Sequence, residues 1–378
     1  MMILKEKILH NLLKLFYKAR FKFGYTYENF DPNRLDPYVL LGNHSSLNDG
    51  LYTALPLERY PYPVINVFMF TSPLMRFVLN HLIKSIPKRK GQSDISTIKA
   101  MLDIIKTEKR GVMIFPEGNS SFFGKESPIP YSTAKFLKKV KLDVVIAHVN
   151  GGYLCSPRWA KKPSRKGLFE VNFKTLYKAE ELDNVSVEEL DIKIVEALRF
   201  NDFDWNRNQK HIYPSKTKAL GLERFIYACP HCGEIHCIST KGNKIYCKYC
   251  GEIAHFNDYS LIEGVPFDNL IDWDIYQKSR LPYFINRTFL SKGKLYSVDM
   301  TSLKSTFFGK QSIELKDRSI NFVSNKQTLN ISIDEIVNLV LVKHNDLAFD
   351  YQDKTYYVRI DNPMLFLDII NYKIKELK

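Results

Sequence analysis

In the stretch NHSSLND (43–49), His44 and Asp49 stand five positions apart, just behind the apolar run YVLLG (38–42). An imidazole near its neutral pKa can take the proton of a hydroxyl as that hydroxyl attacks an acyl carbonyl. A carboxylate on the other ring nitrogen fixes the tautomer and stabilises the imidazolium that forms. If Ser45 or Ser46 caps a helix here, Asp49 falls in its first turn, where the helix dipole favours an anion. A loop-to-helix transition would then let the two side chains meet. The same residue types are also ordinary turn formers between elements. A second polar block, FPEGNSS (115–121), again follows a strand-like run. Its Pro-Glu-Gly turn is expected to expose Glu117, and Gly118 permits close approach of backbone to a ligand.

Different chemistry lies in CPHCGEIHCISTKGNKIYCKYCG (229–251), where Cys229/Cys232 and Cys247/Cys250 form two CxxC pairs, each followed by glycine. This is close to the spacing of a structural zinc ribbon, in which four thiolates close a tetrahedral site. A closed site leaves no position for a substrate, so zinc here is expected to serve folding or partner binding. Cys237 and His231 lie outside the paired spacing, and Cys155 is lone and reads as structural. Six cysteines used in this way fit a reducing compartment better than a disulfide framework.

The elements that position these groups can be read coarsely. YVLLG (38–42), GVMIF (111–115) and LDVVIAHV (142–149) read as short buried strands. Between the first two, residues 94–111 read as a helix, with Ile95, Ile98, Met101, Leu102 and Ile105 on one face and Gly111 ending it. Strands alternating with helices predict an α/β domain over residues 1–215, its polar motifs just past the carboxyl ends of strands. Residues 222–260 then read as the zinc ribbon. Residues 285–378 read as a β-rich domain, with strand-like runs at 312–315, 319–323, 328–333, 337–342, 347–351 and 355–360. A terminal helix (362–377) closes it, with Asn362 as N-cap and Pro363 at the first position. Strands followed by one helix compare in topology with a pleckstrin-homology barrel.

The chain has 378 residues, with 45% hydrophobic and 25% charged residues and a formal net charge of +14. That is the composition of a globular protein whose partners are anionic: nucleic acid, an acidic membrane surface or phosphorylated ligands. The N-terminus lacks a signal-peptide pattern. The longest apolar region (63–83) is broken by Asn66, Pro73, Arg76 and Asn80, too short for a spanning helix. An intracellular protein, soluble or lying on a membrane, is expected. Residues 3–19 carry Ile8, Leu9, Leu12, Leu13, Leu15 and Phe16 at helical spacing among lysines. Such a basic amphipathic helix lies either in a bilayer interface or against its own domain. The stretch PRWAKKPSRK (157–166) either meets lipid headgroups or CoA phosphates, or is a solvated loop. A zinc ribbon on a basic chain also admits a nucleic-acid-binding protein, but the basic residues are spread along the chain rather than gathered at the knuckles.

Together, NHSSLND and FPEGNSS, about 70 residues apart, resemble the glycerolipid acyltransferase family typified by 1-acylglycerol-3-phosphate acyltransferases. That family is marked by an NHx4D block and a later FPEGTRS block, and the resemblance covers roughly residues 25–210. It implies an acyltransferase-type sheet with flanking helices. It also implies acyl transfer from acyl-CoA or acyl carrier protein to a lysophospholipid hydroxyl, with no covalent acyl-enzyme. His44 matches the general base and Asp49 its carboxylate partner, while Glu117, Gly118 and Ser121 match the acceptor-binding block. SIPKRK (85–90) sits where the family has a phosphate-binding arginine, which Arg89 matches, and a one-residue shift puts Lys90 there. A guanidinium fork suits phosphate better than an ammonium. Two departures stand out: Ser120 replaces the arginine of FPEGTRS, and Ala147 and His148 stand where a proline is usual. The resulting expectation is an enzyme on the inner, cytoplasmic face of a membrane, with an anionic membrane surface as partner, structural zinc and no nucleic acid. The alternatives are a nucleic-acid-binding zinc-ribbon protein and a non-catalytic membrane-binding relative.

Overall fold

A computed structural model describes residues 4–89, 95–161, 165–325, 328–343 and 346–376. The chain divides into two units, the first comprising 1–158, 163–215 and 258–260, the second 159–162, 216–257 and 261–378.

The first unit contains strands β1 (Lys22–Glu28), β2 (Val39–Gly42), β3 (Tyr62–Asn66), β4 (Ile86–Lys88), β5 (Val112–Ile114), β6 (Val144–Asn150) and β7 (Leu168–Tyr177). Its helices are α1 (Leu4–Arg20), α2 (Asp49–Ala54), α3 (Pro73–Phe77), α4 (Ile95–Asp103), α5 (Ser132–Val140), α6 (Gly152–Cys155), α7 (Val187–Leu198) and α8 (Asp202–Gln209). Among the described residues the strands form one sheet in the order β1-β7-β6-β2-β5-β3-β4. β6, β2, β5, β3 and β4 run parallel, so the loops leaving them gather at one edge. β7 runs antiparallel to β6, and β1 lies parallel to β7 at the border of the sheet. The central strand β2, VLLG, is buried throughout, as a parallel strand covered on both faces must be.

The helix expected over 94–111 is α4 followed by a wider turn at Ile104–Glu108, and it stops at Lys109 in the left-handed conformation (φ 47°). Gly111 does not end it. Instead, a Cβ there would collide with the Tyr38 carbonyl oxygen, so this glycine lets β5 begin close against the neighbouring strand. α1 stacks His10 on Tyr60 (5.8 Å between ring centroids). Its Ile8, Leu12, Leu15 and Phe16 side chains are exposed.

In the second unit, β8 (Ile238–Lys241), β9 (Lys244–Cys247), β10 (Gly251–Phe256) and β11 (Ile262–Glu263) form an antiparallel sheet, and α9 (Leu270–Arg280) follows. Trp273 of α9 donates its indole N–H to the Ala228 carbonyl, and Tyr276 donates to that of Cys229, tying the first cysteine knuckle to the helix. Next come β12 (Phe289–Asp299), β13 (Lys304–Lys316), β14 (Ser319–Val323), β15 (Thr328–Ser332), β16 (Val337–Val342), β17 (Asp346–Tyr351), β18 (Lys354–Ile360) and α10 (Pro363–Lys375). The strands form an antiparallel sheet in the order β15-β14-β13-β12-β18-β17-β16. The run expected at 312–315 is the end of the much longer β13, and β12 carried no expectation. Asn362 makes no side-chain cap on α10; its Oδ1 instead meets His236 Nε2 at 2.9 Å.

Candidate active site and metal centre

The loop that leaves β2 at Gly42 carries His44, and Asp49 opens α2. The expected meeting of the two side chains occurs: His44 Nδ1 lies 3.0 Å from Asp49 Oδ2. The Asp49 side chain is fully buried. It also accepts from Ser45 Oγ (3.0 Å), Ser46 Oγ (2.8 Å) and the Ser46 backbone N–H (2.7 Å). A buried carboxylate needs such donors to offset its lost hydration. Neither serine caps the helix: Asn48 holds the cap position, and both hydroxyls are turned onto Asp49. Facing an acceptor-only carboxylate, His44 Nδ1 carries the proton, so Nε2 presents a lone pair. The ring is about one-fifth exposed, and no described group engages Nε2.

The second block, behind β5, holds His44 in place from both sides of its backbone. Glu117 Oε1 accepts the His44 N–H at 2.7 Å, and the Ser121 N–H donates to the His44 carbonyl at 2.7 Å. Glu117 is therefore buried rather than exposed, with Oε2 accepting from the Ser127 N–H at 2.8 Å. Burial pushes its carboxyl up to about 8, against the pull of those two N–H donors. Ser121 Oγ donates to the Lys125 carbonyl and accepts from the Gly124 N–H. Both side chains are struts of the loop. Gly118, by contrast, is exposed in the left-handed region (φ 71°), with open space where a Cβ would stand. Ser120, at the position of the missing arginine, is buried, and its hydroxyl has no hydrogen-bond partner among the described residues.

Arg89 directly follows β4 and is half-buried, at the same sheet edge as the loops after β2 and β5. Lys90 lies outside the described residues. In the basic stretch, Arg158 and Arg165 are buried, and burial pushes each guanidinium down to about 10. Neither is part of a solvated loop. Arg158 lies over the Phe122 ring (4.8 Å) and approaches Asn119 Oδ1 at 3.3 Å, so a guanidinium reaches the loop that lacks its own. His148 meets the Arg199 carbonyl (2.9 Å), and burial lowers its pKa.

Several supports carried no expectation. Asn43 bridges to β6, donating to the Val149 carbonyl (2.8 Å) and accepting its N–H (2.6 Å). Phe115 packs beside the His44 ring (centroids 4.8 Å apart). Gly152 of α6 lies so near the pair that a Cβ would collide with Ser45 Oγ and stand 3.3 Å from Asp49 Oδ1. Buried Asp202 holds that turn by accepting the N–H groups of Gly151 (3.0 Å) and Tyr153 (2.8 Å). The doubled glycine after β6 was the one available signal, and it is ambiguous until its neighbour is known.

Cys229, Cys232, Cys247 and Cys250 converge, their Sγ atoms all within 4.8 Å of one another. The Cys229–Cys250 and Cys232–Cys247 separations are 3.9 and 3.8 Å. Tetrahedral zinc with bonds of about 2.3 Å requires roughly 3.8 Å between sulfurs, so the donor set fits that ion. Gly233 and Gly251 follow the knuckles at φ 71° and 78°, a left-handed turn that glycine adopts without strain. Cys237 Sγ lies beside the cluster, 3.6 Å from Cys247, but donates to the Glu234 carbonyl. His231 Nε2 meets the Gly264 carbonyl. Neither belongs to the converging set.

Residues 25–174, the segment holding both polar motifs, match the family model described as Acyltransferase. All of the matched segment except residues 159–162 lies within the first unit. A solved structure similar to this chain is the 1-acyl-sn-glycerophosphate acyltransferase PlsC from Thermotoga maritima, at 15% identity and a TM-score of 0.43. The likeness covers 54% of this chain and 81% of that one. No curated protein matches the chain. No described helix is long and apolar enough to cross a membrane.

Proposed function

We propose that the protein transfers a fatty acyl group from acyl-CoA or acyl carrier protein to the hydroxyl of a lysophospholipid, foremost 1-acylglycerol-3-phosphate. The observation that carries this is the His44–Asp49 contact of 3.0 Å, which leaves Nε2 as the lone-pair nitrogen in a matched acyltransferase segment. In the reaction, the acceptor oxygen attacks the thioester carbonyl while its proton passes to His44 Nε2. Asp49 stabilises the imidazolium. The tetrahedral intermediate then collapses, the carbon–sulfur bond breaks, and the thiolate takes the proton back from the imidazolium. Arg89 is assigned to the acceptor phosphate, supported by its place at the motif edge of the sheet, and the Gly118 backbone to close approach by the acceptor.

Membrane attachment is assigned to α1, whose exposed Ile8, Leu12, Leu15 and Phe16 share one helical face. We place the enzyme peripherally on the cytoplasmic face. Zinc, held by Cys229, Cys232, Cys247 and Cys250, would cross-link the two knuckles and take no part in acyl transfer. The test is thiol release from acyl-CoA or acyl carrier protein with a panel of lysolipids, comparing wild type with His44→Ala and Asp49→Asn. Loss of 10²-fold or more in both variants supports the reading, as general-base catalysis contributes about 10²–10⁴-fold. Absence of acylation with every acceptor, or full activity in both variants, overturns it.

A further inference from the structure

The first unit has a second cationic feature, on the β1 side of the sheet. A cavity of about 640 Å³ is lined by Lys18, Lys22, Lys166, Lys210 and His211, with no carboxylate on its wall. Three chain segments build it, and each is pinned. Lys18 lies in the last turn of α1, and Lys22 begins β1, its N–H donating to the Gly167 carbonyl at 3.2 Å. Lys166 precedes β7. Gly167 lets the Tyr213 ring pack where a Cβ would clash, and the Tyr213 hydroxyl donates to the Leu168 carbonyl at 2.8 Å. Lys210 caps α8 in the left-handed conformation, its N–H donating to the Asn206 carbonyl at 2.7 Å. His211 is held by the Asn206 side chain, which accepts its N–H at 2.9 Å.

Among the described residues none of the four ammonium groups has a carboxylate partner, although ion pairs are common elsewhere on this unit. The four lysines are exposed residues of this lining, and an anion seated there would be attracted by like charges from all three segments. Phe21, Leu168 and Ile212 add apolar lining, Phe21 buried and Ile212 exposed. We propose that this cavity binds a phosphate-bearing ligand, its phosphates among the lysines and its less polar part against that apolar lining. The size lies within the usual range of small-ligand sites, about 300–1,000 Å³. The assignment uses none of the acyl-transfer residues and does not depend on that reaction.

The test uses the whole 378-residue chain, purified with zinc, and two probes: inorganic pyrophosphate by calorimetry, and phosphatidylcholine vesicles with or without phosphatidic acid by co-sedimentation. Lys166→Gln/Lys210→Gln is compared with a control, Lys106→Gln/Lys139→Gln, made at exposed lysines of the same unit. Saturable pyrophosphate binding that the cavity variant weakens tenfold or more, and the control by less than twofold, supports a free phosphate compound. If only vesicles bind, and the cavity variant abolishes the preference for phosphatidic acid, the ligand is a lipid headgroup. Thermal unfolding midpoints of both variants confirm that each is folded. The inference is overturned if neither probe binds, or if the control variant loses as much binding as the cavity variant.

Discussion

Gly152→Ala is the most demanding test of the site, because the perturbation is one methyl group that touches no substrate. The new Cβ would stand far inside van der Waals contact with Ser45 Oγ, and 3.0 Å from Val149 Cγ1. Since carbon and oxygen do not approach closer than roughly 3.2 Å, the hydroxyl must retreat by about 1 Å. It then gives up its 3.0 Å hydrogen bond to Asp49 Oδ1. A hydrogen bond to a buried carboxylate is worth about 1.5–3 kcal/mol. A displacement of about 1 Å in catalytic geometry can cost 10²-fold in rate, about 2.7 kcal/mol of barrier. Thiol-release kinetics should therefore show kcat down about 10²-fold, with KM for the donor within about threefold. Adding Ser45→Ala removes the atom that clashes, so the double variant should recover to the level of Ser45→Ala alone. Full activity in Gly152→Ala, or a folded double variant no better than the single one, would refute the claim that this glycine keeps Asp49 in register with His44.

Four further outcomes are expected. His44→Ala/Asp49→Asn should be no slower than His44→Ala, since Asp49 acts only through the imidazole; a further drop beyond about threefold contradicts this. The purified chain should carry about one zinc, and Cys250→Ser or strong chelation should lower the unfolding temperature of the second unit without changing circular dichroism from the first. Glu117, raised to about 8 by burial, binds its proton more tightly folded than unfolded. Its contribution to stability is therefore fully present below the unfolded value near 4.5 and is lost as pH rises through about 8. Denaturant titrations between pH 5 and 8 should show stability falling by at most about 1.4 kcal/mol per pH unit from this group, a slope that Glu117→Gln removes. Leu15→Glu should weaken binding to anionic vesicles about tenfold or more, given roughly 1.5–3 kcal/mol for a buried leucine, and leave pyrophosphate binding in the lysine cavity unchanged.

Much of the candidate site was legible locally. His44 and Asp49 follow a strand within one short loop, so residue types and spacing alone bring their meeting into range. The knuckles are equally local, because each CxxC-Gly turn needs only its own residues and a left-handed glycine. Capping was less legible, since Ser45, Ser46 and Asn362 each had a competing hydrogen-bond partner. The hydroxyls of Ser45 and Ser46 went to Asp49, and Asn362 to His236.

Sequence by itself determined the His44–Asp49 pairing, the four thiols, the buried parallel strands and the likeness of the two polar blocks to acyltransferases. Each of these depends on side-chain chemistry and short-range periodicity. Tertiary structure alone decided that Glu117 is buried rather than exposed, because its partners are backbone groups 73 and 10 positions away. It also decided that Gly152 faces Asp49, that Arg158 reaches the loop lacking an arginine, and that lysines from three segments line one cavity. Burial and approach are set by which strands pair across more than a hundred residues, and no local pattern encodes that pairing.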